Sequence, residues 1–421
     1  MIPAPDLKPL VPQTHQLPNG RPLYCFQNNA LELTKLDLTF EAGSCLQSHK
    51  SQAHGANQLL AEVTKCHTPQ QVAELLDFRG IVVEKMTDVC VGNVSFYFLR
   101  RYAEELFPLI REMFDAPLVT QPLFDAYRAK RRQQLSLGMQ KTAYVARNKF
   151  YEALYGFNHP LGTYAQPADL DLLTADRLSG FMCRHYHLDS AHMVLSGYVD
   201  DALLALADQH LSPTLVEQVH ATVLPRPMPS HQGSATIGCP MDNAVQSTLR
   251  IGRILPLEWH QEEYARFMVL NTVLGGYFGS RLMSNIREDK GYTYGIYSTT
   301  QVYRGNIVFY FTADVAAEAT QAAVAEVYKE IDRLKQEPVP DEELERVRNY
   351  MMGDFIRSID GAFEISERYR QMAATAVDDR LTTHLLDAVA TVTPAQLQEL
   401  AQKYLTDLVT VVAGPQEALL K

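Results

Sequence analysis

The feature that most constrains this chain is that it repeats itself. Gly92-Asn93-Val94-Ser95-Phe96-Tyr97-Phe98 returns as Gly305-Asn306-Ile307-Val308-Phe309-Tyr310-Phe311. Each run is followed by a helical pattern with Ala and Glu at matching places, Ala103 and Glu105 in one case, Ala316 and Glu318 in the other. Each helix gives way to a proline loop (Pro117 and Pro122; Pro338 and Pro340), which feeds a long polar helix, 123–140 and 341–359. A recurring order of strand, helix, loop and helix is what a duplicated domain leaves in a sequence. Two domains of one fold are therefore expected, and 421 residues suffice for two ordinary cores. Pro213, Pro225, Pro227, Pro229, Ser230 and Gly233 break any periodicity between the halves. The expected division is an N-terminal domain over 1–215, a linker over 216–235 and a C-terminal domain over 236–421.

Within the first half, strands are expected at 21–27, 33–41, 82–91, 93–98 and 193–198. The second of these alternates clearly at Leu36, Leu38 and Phe40. Helices are expected at 55–64, 68–76, 103–113, 123–140, 143–155 and 175–187, with Thr68 and Thr174 as N-caps and Pro69 in a first turn. Hairpins mixed with paired helices predict an α+β fold, each domain a mostly antiparallel sheet with helices on one face. Two such halves on a linker can enclose a ligand cavity.

A net charge of −11 argues against free nucleic acid as a partner. Six cysteines without a C-x-x-C spacing read as reduced thiols rather than a disulfide frame or a zinc cage. The proline-rich N-terminus lacks the apolar core of a signal peptide, and no run approaches the roughly 18 apolar residues of a membrane span. The expectation is a soluble, cytoplasmic protein with no membrane partner.

The stretch 274–298 concentrates the chemistry. Gly275, Gly276 and Gly279 make a turn, a short amphipathic helix covers 281–288, Gly291 breaks it, and Tyr292, Tyr294 and Tyr297 enter a strand. This reversal can bring the Arg287 guanidinium and the Tyr294 phenol to one point. Arg offers planar donors to a carbonyl or carboxylate, and Tyr offers a hydroxyl on a rigid ring. The spacing alone suits equally a solvated helix end at Arg287 and a core tyrosine at 294. The glycine turn is not a phosphate loop, since it follows a helix and lacks the Lys-Ser/Thr end.

Ser280-Arg281-Leu282, Ile286-Arg287-Glu288, Gly291 and Tyr294 together resemble the C-terminal-half signature of the M16 zinc metallopeptidases, the pitrilysin-like and mitochondrial-processing-peptidase-like family. The layout is similar along nearly the whole chain. The resemblance implies two duplicated LuxS- and processing-peptidase-like domains arranged as a clamshell, with Arg287 and Tyr294 binding a substrate peptide. It also implies a place to look for zinc, the inverted motif H-x-x-E-H on the first helix, where two histidines hold the ion and the glutamate acts as base. Gly55-Ala56-Asn57-Gln58-Leu59-Leu60-Ala61-Glu62 stands there. Gln58 replaces the first histidine, Ala61 the glutamate and Glu62 the second histidine. No Asp or Glu occurs over 126–151, where a third ligand is sought; Arg128, Lys130, Arg131 and Arg132 occur instead.

Other groupings are weaker. His54, Glu62 and His67 lie on or beside the first helix as a conceivable rebuilt site. His185, His187 and His192 form a second cluster that reads as a polar helix end, and Cys66-His67 is a poor nucleophile pair because adjacent residues rarely face one another. The basic run 128–149 reads as a solvated helix face or a partner contact. What the resemblance implies is the non-catalytic, substrate-binding subunit of a two-chain zinc peptidase. It would carry no metal or cofactor of its own and have no catalytic residue. Its partner would be an H-x-x-E-H subunit holding the zinc, as a heterodimer, or a second copy as a homodimer. A self-contained zinc peptidase with a rebuilt site, a structural homologue and a simple peptide-binding protein remain the alternatives.

Overall fold

The computed structural model describes residues 11–115, 117–213, 222–225 and 233–419. Most of the expected linker, 216–235, and the first ten residues of the proline-rich N-terminus lie outside them. The first half runs β1 (Gln13–Gln16), β2 (Pro22–Gln27), β3 (Leu33–Phe40), α1 (Gln52–Leu59), α2 (Pro69–Phe78), β4 (Val82–Thr87) and β5 (Gly92–Leu99). It continues through α3 (Ala103–Met113), α4 (Gln121–Gly138), α5 (Thr142–Tyr155), α6 (Ala175–His185), β6 (His192–Gly197) and α7 (Asp201–His210). The second half runs β7 (Ala235–Pro240), β8 (Gln246–Leu255), α8 (Glu262–Asn271), β9 (Thr293–Tyr303) and β10 (Asn306–Ala316). After it come α9 (Thr320–Gln336), α10 (Asp341–Arg357), α11 (Ala362–Thr375), α12 (Arg380–Thr391), α13 (Pro394–Tyr404) and β11 (Val409–Gly414).

The repeat in sequence is a repeat in topology. One sheet has the order β1-β2-β6-β3-β5-β4 and the other β7-β11-β8-β10-β9. Superposing β5 on β10, the two repeated runs, matches every strand from β2 to β4 with a strand of the second sheet. Even the single parallel pair recurs, β2 with β6 and β7 with β11, in sheets otherwise antiparallel. Local chemistry sets the elements. Thr68 and Gln71 form a capping box at the start of α2, with Pro69 in its first turn. Gly55 lets α1 lie tight against its neighbours: a Cβ there would come within 2.9 Å of the Tyr127 ring on α4 and 3.0 Å of Leu178 on α6.

Each sheet packs its own helices on one face, around Leu36, Leu38 and Phe96 in one half and Ile251, Phe309 and Phe311 in the other. The opposite faces are also covered, which the sequence reading did not anticipate. α5, from the first half, lies on β8 and β11 of the second sheet, and α11, its counterpart, lies on β2, β3 and β6 of the first. This exchange explains why β3 buries both its faces: Lys35 is only 3% exposed and Asp37 is fully buried, although their alternation with Leu36 and Leu38 reads as a solvent face. The halves are further joined by a two-pronged pair between Arg304, in the β9–β10 turn, and Glu41, just after β3, at 2.6 and 2.7 Å. No helix among the described residues is long and apolar enough to cross a membrane.

Candidate functional site

α1 carries the place where the first-helix chemistry is sought. The helix is α-helical through Leu59 and tightens to a 3-10 turn at Leu60–Glu62. Ala61 points into the core, while Gln58 and Glu62 stay half-exposed toward β4. There Lys85 sends its ammonium to the Gln58 carbonyl and lies 3.5 Å from the Glu62 carboxylate. Burial lowers the Lys85 pKa, with Glu62 pulling the other way and Lys130 on α4 adding to the lowering. A zinc site needs three protein donors of the imidazole, thiolate or carboxylate kind. Here an amide, a methyl group and a carboxylate that already faces an ammonium stand instead, so these residues do not fit the ion. Among the described residues no group of three His, Cys, Asp or Glu is placed to hold a metal.

The other histidines are scattered. His54 meets the Tyr127 hydroxyl at 3.1 Å, and burial, with Arg131 adding to it, pushes its pKa down to about 4. His67 pairs with Glu112 on α3 at 2.8 Å. The three members of the conceivable rebuilt site, His54, Glu62 and His67, thus each face a different partner. His185 packs on Phe181, while His192 is stacked on Tyr24 at 5.1 Å beneath α11, so the second histidine cluster is not assembled either. Cys66 gives its backbone N–H to Glu112 and is exposed, while the neighbouring His67 ring is turned to Glu112.

The stretch expected to grip a peptide contains two π-helical segments, Thr272–Gly276 running into the expected glycine turn and Met283–Asp289 within the short amphipathic helix expected over 281–288. Such widened turns recur at functional sites. Gly275 is needed for packing: a Cβ there would come within 2.6 Å of the Ser298 hydroxyl on β9. Arg281 is clamped by Glu343 through two bonds of 2.8 Å, and Asn285 donates to Glu326 and Glu330, also at 2.8 Å. The segment is therefore rigid beneath Arg287. Arg287 itself stacks its guanidinium 4.6 Å over the Phe278 ring and has no carboxylate partner among the described residues. Gly291 turns the chain with φ +66°, and Tyr294, on the outer strand β9, is 100% exposed. The core reading of Tyr294 does not survive this; its hydroxyl is free for a ligand. Among the described residues no hydrogen bond or cation-π contact joins Arg287 to Tyr294.

β4 and β9 hold equivalent places, each the outermost strand of its sheet, and β4 exposes Val82 and Met86. Their far ends meet at a cavity of about 590 Å³ between the halves, lined by Thr87 at the end of β4 and Asp88 after it, Gln301 and Tyr303 of β9, and Arg250 of β8. Tyr294 and Tyr303 are nine residues apart on β9, roughly 30 Å of strand. The Arg287–Tyr294 segment and the cavity thus occupy opposite ends of one edge. The sequence reading missed Arg250. Its signal was an arginine flanked by apolar residues inside a strand run, Leu249-Arg250-Ile251.

Residues 172–351 match the family model for the peptidase M16 inactive domain. Over 355 residues the chain is 25% identical to a non-peptidase homologue from Helicobacter pylori, covering 81% of this chain and 79% of that one. It is 23% identical to a zinc protease from Rickettsia bellii, covering 79% and 80%. The crystal structure of a peptidase M16 inactive domain from Pseudomonas fluorescens has the same fold, with a TM-score of 0.79, 20% identity, and 97% and 100% of the two chains covered. A protease from Helicobacter pylori also shares it, with a TM-score of 0.82, 17% identity, and 96% and 100% covered. The stretch 172–351 is thus similar to the peptidase M16 inactive domain, and the chain as a whole shares the fold of the solved M16 inactive-domain structure.

Proposed function

We infer that this chain holds peptides for a zinc peptidase whose metal sits in another M16 subunit. The observation that carries this is the pairing of two features. A lysine ammonium stands against Gln58 and Glu62 where hydrolytic zinc would be bound, yet among the described residues Arg287 has no carboxylate partner and Tyr294 stands fully exposed on the outer strand. An outer strand with free N–H and C=O groups adds a peptide as a further strand, and side-chain donors beside it fix its direction. Arg287 would take a backbone carbonyl or carboxylate, and Tyr294 would donate its hydroxyl to another. The contribution of such a subunit is positioning, while the partner's zinc activates water. The likeness to a non-peptidase homologue supports the same division.

A mixing assay tests this. The purified chain should contain no stoichiometric zinc and cleave nothing. Added to an H-x-x-E-H partner, it should support cleavage, and Arg287→Ala should lower that activity by about tenfold or more, as expected for the loss of a charge-assisted bond. Tyr294→Phe should lower it less. Undiminished mixed activity with Arg287→Ala removes the assigned role.

A further inference from the structure

The cavity between the halves is electropositive in a protein whose net charge is −11. Its lining carries four cationic side chains, Lys50, Arg131, Arg147 and Arg250, against one carboxylate, Asp88. Lys50 is answered by Asp169 at 3.7 Å. The three arginines have no carboxylate partner among the described residues, and Asp88 is turned to the backbone N–H of Val89 at 2.7 Å. Arg131 and Arg147 belong to the basic run that the sequence presented as a solvated helix face or a partner contact. Both instead flank one hollow, together with Arg250 from the other half.

Three buried donors there are also unsatisfied. Asn148 is 7% exposed and its side-chain N–H₂ has no partner; the Nε–H groups of Arg131 and Arg250 are likewise buried without one. Buried donors without acceptors are costly, so a set of them around one cavity favours an acceptor there. Arg250 is held in place by aromatic faces, 4.2 Å above Tyr310 and 5.8 Å from Phe150 and Tyr151, which fixes its plane without using its donors. A guanidinium so oriented matches a planar, two-oxygen acceptor.

We propose that this cavity receives a carboxylate carried by the bound peptide, either its C-terminus or an Asp or Glu side chain. The proposal rests on the peptide-holding reading and adds a specificity to it. The open ends of β4 and β9 deliver a strand-bound peptide to the cavity, and Arg147, Arg250 and Asn148 close on the anion from both halves. Because the protein as a whole repels anions, the attraction is local and short-ranged, and it weakens with salt.

Calorimetric titration of the full chain with three short Ala-Tyr peptides tests this. One has a free C-terminus and neutral side chains, one is amidated with internal Glu, and one is amidated and neutral. The expected result is about tenfold or more tighter binding of at least one carboxylate-bearing peptide, and the form preferred identifies the source. Arg147→Gln, at an exposed and unpaired position, and Arg250→Met should each remove the preference. Arg128→Gln should not, since Arg128 pairs with Asp125 and does not line the cavity. Should Arg250→Met melt early, Arg147→Gln decides alone. Equal binding of all three peptides overturns the carboxylate specificity and leaves the peptide-holding reading standing. Binding of none overturns both.

Discussion

α5 and α11 are counterparts in the duplicated halves and each crosses to the other sheet, but the two seams use different chemistry. α5 meets β11 through Ala146, Phe150, Ala153 and Leu154 against Val409, Val411 and Ala413, all buried. α11 has a smaller apolar contact, Ala362, Ile365 and Tyr369 against Phe26, Val194 and Tyr24. It adds a charge network, buried at Lys35, Asp37 and Arg370 and part-exposed at Glu367, in which Lys35 lies 3.0 Å from Asp37 and 3.1 Å from Glu367, and Glu367 accepts from Arg370 at 3.0 Å. Ser366 donates to Ser196 at 3.0 Å. An apolar seam gains with area and tolerates repacking. A charged one depends on every partner staying in place, because an ion left alone in a dry seam is expensive. One seam is thus a source of strength and the other of register and pH sensitivity.

The contrast can be broken most forcefully at Phe150. Phe150→Ala should cost about 4 kcal/mol in urea unfolding, by loss of buried surface and creation of a cavity. Ile365→Ala, on the half-buried α11 contact, should cost clearly less; equal losses would remove the distinction.

Next comes the charge network. Lys35→Met should cost about 3 kcal/mol by leaving Asp37 buried without its cation. Lys35→Met combined with Asp37→Leu should recover most of that, since an apolar pair can replace a buried ion pair. A double variant no better than the single would show that the seam draws its strength from the ions themselves.

The smallest effect, and the sharpest discriminator, is pH. Burial beneath α11, with Arg370 adding to it, pushes the His192 pKa down to about 4, so the folded seam holds a neutral imidazole. The unfolded chain takes up that proton below about pH 6.5 and the folded chain does not, so stability is full above that pH and falls on the way to 4. Burial opposes the Glu367 carboxylate, but Arg370 and Lys35 outweigh it and hold its pKa down to about 2, so its stabilisation is lost only below about pH 4.5. Between pH 7.5 and 5 the chain should lose about 2 kcal/mol more than His192→Phe does. Hydrogen exchange should rise in α11 before α5. A variant with the same pH slope as the parent would detach His192 from the effect.

Much of the fold was legible because the repeat was. Gly92–Phe98 and Gly305–Phe311 fixed two equivalent central strands, and the capping signals at Thr68 and Thr174 place their helices within a residue or two. Boundaries slipped where a helix changed type, as at Leu60–Glu62 and Met283–Asp289, since hydrophobic period does not separate α, 3-10 and π turns over so few residues. The site was half legible. Missing donors at 58, 61 and 62 are visible in the letters, but the ammonium that stands there comes from Lys85 on a different element.

What the sequence alone determined is what depends on neighbours along the chain: the duplicated element order, the caps, and the absence of a ligand set on the first helix. The tertiary structure decided the exchange of α5 and α11, the burial of Lys35 and Asp37 on a strand face that alternates like a solvent face, and the meeting of Arg147 with Arg250 across the halves. These join residues separated by a hundred or more positions. Side-chain period records that a face is polar; only packing decides whether water, an opposing ion or a ligand will answer it.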